Sequence, residues 1–284
     1  MTEFADLHLH STASDGTDSP AELLQKVRAK GLASFSLTDH DTTAGSDEIA
    51  RLASPEDGFI RGAELSCATR LRKCHILAYE YDADAEPLQV SLENLAALRV
   101  EKMHLRLKIL ERDFGVVFSD TARKKLARTP SVGKPHIAMA MVEAGYCADV
   151  AEAFSVFLSK IKLKSTYLPA QEGVECILAS HGIPVWAHPL GGEDEAHLTP
   201  ETFFPQLKLL LSYGIKGLEC YYSRYTAEES AFLVDTARKN GLFISGGSDY
   251  HGANKNIPLG TLNAAGARVS ADRLTLIDAI RTRY

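Results

Sequence analysis

The chain has little of what marks secreted, membrane-bound or polyanion-coating proteins. Its five cysteines (Cys67, Cys74, Cys147, Cys176 and Cys220) are odd in number, scattered and without a Cys-x-x-Cys pair. That excludes a disulfide framework and a thiolate zinc site. No apolar run approaches the roughly 18 residues of a membrane span. No basic segment leads into an apolar one at the start, so no secretory leader is expected. Positive charge is in deficit: the net charge of −6 gives no global attraction to nucleic acid, so any polyanion must be held locally. There is no internal repeat and no low-complexity tract. These absences leave a protein of the reducing cytoplasm, away from membranes and without an obligate protein partner.

What is present is ordinary globular material. At 45% hydrophobic and 24% charged over 284 residues, the chain can bury a sizeable core. Its length suits one large domain or one domain carrying an insertion. Short apolar runs alternate with helical patterns. "FADLHLH" (4–10) alternates like a strand. In "SPAELLQKVRAKG" (19–31), Ser19 is placed to cap a helix with Pro20 at its first position, Glu22 completing the cap and Gly31 stopping it. "SFSLTDH" (34–40) reads as a strand and 43–54 as a helix, followed by strands "FIRGAELSC" and "HILAYEY". The rhythm returns with helix "ECILASHG", strand "IPVWAHP", helix "TPETFFPQLKLLLSYG", strand "GLECYY", helix "TAEESAFLVDTARKNG", strand "LFISGGSDYH" and a helix from Ser270. About seven such units predict an α/β fold with a mainly parallel sheet, closed as a barrel. Between them lie a long Arg/Lys/Glu-rich helix from about Pro87 to Phe114 and two more helical stretches, "KPHIAMAMVEAG" and "DVAEAFSVFL". Residues 99–166 therefore read as a small helical insertion in a barrel formed by 1–98 and 167–284.

The chemistry-bearing residues gather at the strand ends. His8 and His10, two apart on a strand, share one face. Asp15 follows in the next loop, His40 ends the second strand and Glu64 lies late in the third. His75 opens the fourth strand, His188 follows "VWA", and Asp249 and His251 end the last. Each alone has a bland reading as a surface His, a cap or a turn. Most of nine such residues at one rim of one sheet, where barrel enzymes build their sites, point to a polynuclear metal centre. Imidazole with carboxylate suits zinc, manganese or iron. Asp39 and the neighbouring Asp6 and Asp41 are candidates to orient the histidine rings through their second nitrogens.

Together "DLHLHSTASDG", "LTDHDT", "GAELS", His75, "AHP" and "GSDYHG" resemble the PHP (polymerase and histidinol phosphatase) phosphoesterases. The resemblance implies a distorted (β/α)7 TIM-like barrel and two or three divalent ions (Mn2+, Fe2+ or Zn2+). Its implied ligands are His8, His10, Asp15, His40, Glu64, His75, His188, Asp249 and His251, with Glu64 bridging ions. The nearest likeness is to the branch with a helical insertion that acts on nucleoside monophosphates, 3′,5′-bisphosphates or short RNA ends. Asp15 stands where histidinol-phosphatase-like members often carry histidine, and "HPLGGE" lacks the arginine of the "HPGRY" found in many relatives. The expected chemistry is in-line attack on phosphorus by a hydroxide shared between ions. His40, Glu64, Asp249 and His251 are its central residues, with His40 or His251 able to protonate the leaving group.

Selectivity must come from elsewhere. Pro135 fits the first turn of a helix, so Lys134 and His136 flank a helix N-terminus, itself a phosphate site. The resemblance also puts a basic residue and a histidine there. "ARKKLAR" (122–128) and "KIKLK" (160–164) add charge to the same insertion, and Arg224 follows a strand near the rim as a further phosphate candidate. His104, His181 and His197 read as structural or exposed. The leading expectation is a metal-dependent phosphoesterase acting on a small phosphorylated substrate, a nucleotide or short RNA. The alternatives are a histidinol- or sugar-phosphate phosphatase, a non-catalytic metal-stabilised binding module, or an exonuclease subunit of a larger assembly.

Overall fold

The computed structural model describes residues 3–163, 167–192 and 197–282; Lys164, the 166 boundary of the insertion and Glu193 of "HPLGGE" lie outside them. Strands β1 (Phe4–Leu9), β2 (Leu32–Leu37), β3 (Phe59–Ala68), β4 (Lys73–Tyr79), β5 (Leu168–Pro169), β6 (Ile183–Trp186), β7 (Gly217–Tyr222) and β8 (Phe243–Gly247) form one sheet. Their order is β1-β2-β3-β4-β6-β7-β8, with the two-residue β5 added at the end of β3. The chain just past β8 returns to β1: the Asp249 N–H donates to the His8 carbonyl at 2.9 Å and the His10 N–H to that of Tyr250 at 2.9 Å. The result is a nearly closed seven-strand barrel. Gly247 makes this closure possible, because a Cβ there would lie 2.1 Å from the Cβ of His8.

Helices α1 (Pro20–Lys30), α2 (Ala44–Leu52), α7 (Ala170–Ala179), α8 (Pro200–Tyr213), α9 (Ala227–Lys239) and α10 (Thr275–Arg281) accompany the strands. Their starts follow local chemistry. Ser19 and Glu22 form the reciprocal cap expected of them and Gly31 ends α1 at φ 61°. Thr226 and Glu229 do the same for α9. Leu23, Leu24 and Val27 of α1 and Ile49 of α2 pack on Leu9, Phe35 and Leu37. A larger cluster joins Leu65, Leu77 and Val185 of the strands to Val174, Phe203 and Leu233 of the helices.

The middle of the chain runs through α3 (Glu86–Phe114), α4 (Asp120–Ala127), α5 (Lys134–Glu143) and a short α6 (Val150–Glu152) continued by a π-helical turn at Ala153–Leu158. The 29 residues of α3 serve two cores. Leu88 and Leu92 belong to the barrel cluster, whereas Met103, Leu107 and Leu110 pack with Phe118, Ile137, Met141 and Leu158 in a separate one.

Four features depart from the sequence reading. β4 is antiparallel to both β3 and β6, since the few residues joining β3 to β4 are too short for the dozen or more of a parallel crossover. The charge run from Ala122 conceals α4, which Ser119 caps through the Ala122 N–H. The predicted C-terminal helix is split into a 3₁₀ turn (Ala271–Arg273) and α10. Strands β2, β6 and β8 stop earlier than read, so His40, His188, Asp249 and His251 stand in the loops beyond them. His188 and Asp249 are held there at positive φ, 29° and 57°.

Candidate metal centre

All nine predicted side chains converge at one end of the barrel. Period-two alternation turns His8 and His10 to one face of β1, and their Nε2 atoms lie 3.1 Å apart. The reversed direction of β4 brings His75, near its start, to the same rim as the ends of the parallel strands. Glu64, on β3, is fully buried at their centre. Its Oε2 lies 3.3 Å from Nε2 of both His8 and His10 and 2.9 Å from His40 Nδ1. Its Oε1 lies 3.0 Å from His75 Nδ1 and 3.2 Å from His188 Nε2, and those two nitrogens are 3.2 Å apart. Asp249 Oδ1 lies 3.2 Å from His10 Nε2. Asp15 Oδ1 meets His251 Nε2 at 3.2 Å, and its Oδ2 is 3.9 Å from His40 Nε2.

These contacts fit divalent cations better than a hydrogen-bond network. Glu64 Oε2 and His40 Nδ1 are buried and close, yet neither has a hydrogen-bond partner. Ligands bonded at about 2.1 Å in tetrahedral or octahedral geometry stand roughly 3.0–3.4 Å apart, the spacing found here. Among the described residues, the donor atoms of eight of the nine form three groups: His10, Asp15, His40 and His251; His8, His10 and Asp249; His40, Glu64 and His75. His188 joins none of them, although its Nε2 lies against Glu64 Oε1. Burial opposes ionisation of Glu64, but His40, His75 and His8 outweigh it and hold the carboxyl well below its usual range. Burial likewise opposes ionisation of Asp249, where Lys255, His251 and His8 prevail. Metal-ligating carboxyls must be deprotonated, and both shifts run in that direction.

Around them is a supporting layer that the sequence reading assigned in part wrongly. Glu219 was missed. Buried on β7, it takes His8 Nδ1 on Oε1 at 2.9 Å and the His188 backbone N–H on Oε2 at 2.7 Å, fixing the His8 ring and the turn that carries His188. The signal was a lone acid in the apolar strand "GLECYY". Asp39 does not orient His40. Strand alternation turns it away, and it accepts from the Ser11 N–H and the Ser11 and Ser14 hydroxyls, fixing the loop after β1. Asp6 accepts from Ser248 and Gly260 N–H groups across the barrel seam, and burial pushes its carboxyl up to about 6. Asp41 takes Arg99 Nε at 2.6 Å and the Ser66 N–H at 2.6 Å. Asp249 accepts from Tyr222 Oη (2.9 Å) and Lys255 Nζ (2.8 Å) on Oδ2, which leaves Oδ1 facing the histidines.

A cavity of about 260 Å³ opens from the centre towards α3 and α5. Asp15, His40 and His75 line it on one side; Arg99, Lys102, Arg106 and Lys134 line the other. Arg99, Lys102 and Arg106 were missed, although spacings of three and four put them on one helical face. Burial, with Arg106 and Lys162 nearby, lowers the Lys134 ammonium pKa. Arg106 Nε is buried and has no acceptor among the described residues. His136 caps α5, its Nδ1 accepting the Gly133 N–H at 3.0 Å. Arg224 is exposed on the turn after β7 and is not among the cavity's lining residues. His104 and His181 are exposed, and His197 meets Glu229 Oε1 at 2.5 Å.

Over 256 residues the chain is 32% identical to a 5′-3′ exoribonuclease of Haemophilus influenzae, covering 88% of this chain and 91% of that protein; the family model described as PHP domain matches residues 6–116. The chain belongs to the PHP family. A second PHP relative, a 3′,5′-nucleoside bisphosphate phosphatase of Chromobacterium violaceum, is 27% identical over 253 residues, 87% of this chain and 86% of that one. A crystal structure described as a metal-dependent phosphoesterase of Bifidobacterium adolescentis superimposes with a TM-score of 0.79 at 27% identity, over 99% of this chain and 95% of that one. This PHP chain is a metal-dependent phosphoric ester hydrolase on a TIM-like barrel. No helix among its described residues is long and apolar enough to cross a membrane.

Proposed function

We propose that this enzyme hydrolyses the phosphate ester on the 3′ side of a nucleotide that carries a 5′-phosphate. The cationic cavity that shares His40 and His75 with the metal centre carries this reading. A site for one phosphoryl group needs no second cluster of four cations beside it, whereas a substrate with two phosphates does. One reaction at the 3′ phosphorus would serve both a 3′,5′-bisphosphate and a 5′-phosphorylated RNA, the substrates that two relatives' names suggest. Water adds to the 3′ phosphorus, the bond from phosphorus to the nucleoside 3′ oxygen breaks, and a proton passes to that oxygen. From a 3′,5′-bisphosphate the products are a nucleoside 5′-monophosphate and phosphate. From RNA they are the same monophosphate and a chain shortened by one nucleotide, again with a 5′-phosphate.

His8, His10, Asp15, His40, Glu64, His75, His188, Asp249 and His251 would hold two or three divalent ions, of which manganese, iron and zinc suit the donors. When bound, these ions polarise the phosphoryl oxygens and make water nucleophilic at neutral pH. Glu64 turns Oε2 to His8, His10 and His40 and Oε1 to His75 and His188, and would serve ions on both sides. Glu219 keeps His8 and His188 aimed inward. Arg99, Lys102, Arg106 and Lys134 bind and orient the 5′-phosphate, which aligns the 3′ phosphorus for in-line attack. His251 donates from Nδ1 to the Asp249 carbonyl at 2.9 Å, which turns its Nε2 to the centre beside Asp15. The stretch from about 99 to 166 acts as a substrate-binding cap on the barrel. Five buried free thiols suit a reducing cytoplasm.

The test strips the protein with chelator, restores manganese and follows hydrolysis of a nucleoside 3′,5′-bisphosphate, a 5′-phosphorylated oligoribonucleotide, AMP and histidinol phosphate. The first two should turn over and only with metal. Activity surviving exhaustive chelation, or turnover of histidinol phosphate alone, overturns the proposal.

A further inference from the structure

A second, smaller cavity also touches the metal centre. It measures about 40 Å³ and is lined by Arg72, Lys73, Trp186, His75 and His188 among others. His75 is the one residue, among those described, that lines both this cavity and the cationic one. Since His75 and His188 both lie against Glu64 Oε1, the small cavity meets the centre at that oxygen, and the cationic cavity meets it at His40 and His75. The two differ in size, about 40 Å³ against about 260 Å³, so the second cavity suits a smaller group.

The small cavity's cations come from the β3–β4 hairpin. Its segment "ATRLRKC" carries Arg70, Arg72 and Lys73 and no acid. The tip is rigidly built. The Thr69 hydroxyl accepts the Leu71 N–H at 3.1 Å and the Arg72 N–H at 3.3 Å, and donates to Gln206 Oε1 on α8 at 2.7 Å. The Thr69 N–H donates to the Arg72 carbonyl at 2.9 Å. Ladder pairs Ala68 with Lys73 and Ser66 with His75 set the hairpin's cations in register with the centre.

A 3′,5′-bisphosphate ends at the phosphorus that is attacked and has nothing to place in this second cavity. An RNA chain continues from that phosphorus through a further ribose to a further phosphate. We propose that Arg72 and Lys73 bind the first phosphodiester beyond the scissile one, making the β3–β4 hairpin the element that lets this site act on polynucleotides. The inference rests on the reading given under Proposed function and adds to it a determinant of chain-length specificity.

The experiment compares the manganese-loaded wild type with Arg72→Ala/Lys73→Ala on two substrates, a nucleoside 3′,5′-bisphosphate and a 5′-phosphorylated ten-nucleotide RNA. The double variant should lose about tenfold or more in kcat/KM on the RNA and stay within about twofold on the bisphosphate. The slope of log kcat/KM against log salt should fall by roughly 0.7 for each phosphate of the single strand that the variant no longer neutralises. Arg72→Lys/Lys73→Arg, which keeps both charges, should recover most of the RNA activity. The idea is overturned if the two substrates decline in parallel, if neither declines, or if the salt slope is unchanged. A wild type inactive on both substrates would instead refute the underlying reading, so the two failures are told apart.

Discussion

Glu219 and Asp249 show how one carboxylate serves two neighbours. Each gives one oxygen to a histidine of the centre and the other to a group that fixes its own position: the His188 N–H for Glu219, Tyr222 and Lys255 for Asp249. Replacing Glu219 with alanine frees the His8 ring and should weaken metal binding by about 10–100-fold. Competition with a chelator would read this, with circular dichroism showing the fold kept. Lys134→Ala should act differently. It should raise KM for a nucleotide substrate by about tenfold, the scale of one charge-assisted hydrogen bond, with metal content by elemental analysis unchanged. The nine candidate ligands were legible because "HLH" and "DYH" place donors at strand spacing beside isolated His and Glu residues. Glu219 was not, because one acid in a buried strand carries no partner in its own sequence. Asp39 adjoins His40 in the chain, yet alternation already predicts that its side chain points away, and it does so, towards Ser11 and Ser14.

At the level of elements, caps made helix boundaries readable in α1, with Ser19–Glu22 and Gly31, whereas α4 was missed despite its Ser119 cap because a charge run masked it. Strand direction was not read, although the short β3–β4 link already excluded a crossover. Two further outcomes belong here. Gly247→Ala would force β8 from β1 at the seam, so a reduced melting temperature and lost metal are expected together, measured by thermal unfolding with and without manganese. The second concerns Asp57, which ties the turn before β3 to Arg28 of α1 through two bonds of 2.7 Å. The Arg28 hydrogen bond holds its carboxyl well below the usual range. A depressed native pKa stabilises the fold above the unfolded value near 4 and is lost as pH falls below it. Because Arg28 is half exposed, at 48%, Asp57→Asn should cost less than about 1 kcal/mol at pH 7. Denaturant titration should show that difference vanish towards pH 2.

Across the whole molecule, the barrel concentrates Asp15, Glu64, Asp249 and Glu219 with six histidines in one end, and cations that bind only the folded arrangement must stabilise it. At a free concentration a hundred times the dissociation constant the gain is about 2.7 kcal/mol. Chelation should therefore lower the melting temperature, and manganese should restore it. The reversal of β4 has a further result for shape. A strand that runs backwards delivers the chain to the far end of the barrel, opposite the metals, and α3 has to begin there. Its 29 residues reach about 43 Å at 1.5 Å each, while the seven residues of β4 rise about 23 Å. The helix first packs on the barrel through Leu88 and Leu92, then brings Arg99 to the rim, where Asp41 and Ser66 meet it, and continues past it with Lys102 and Arg106 on the same face. A single inverted strand thus supplies the mast from which the canopy over the reaction centre is hung.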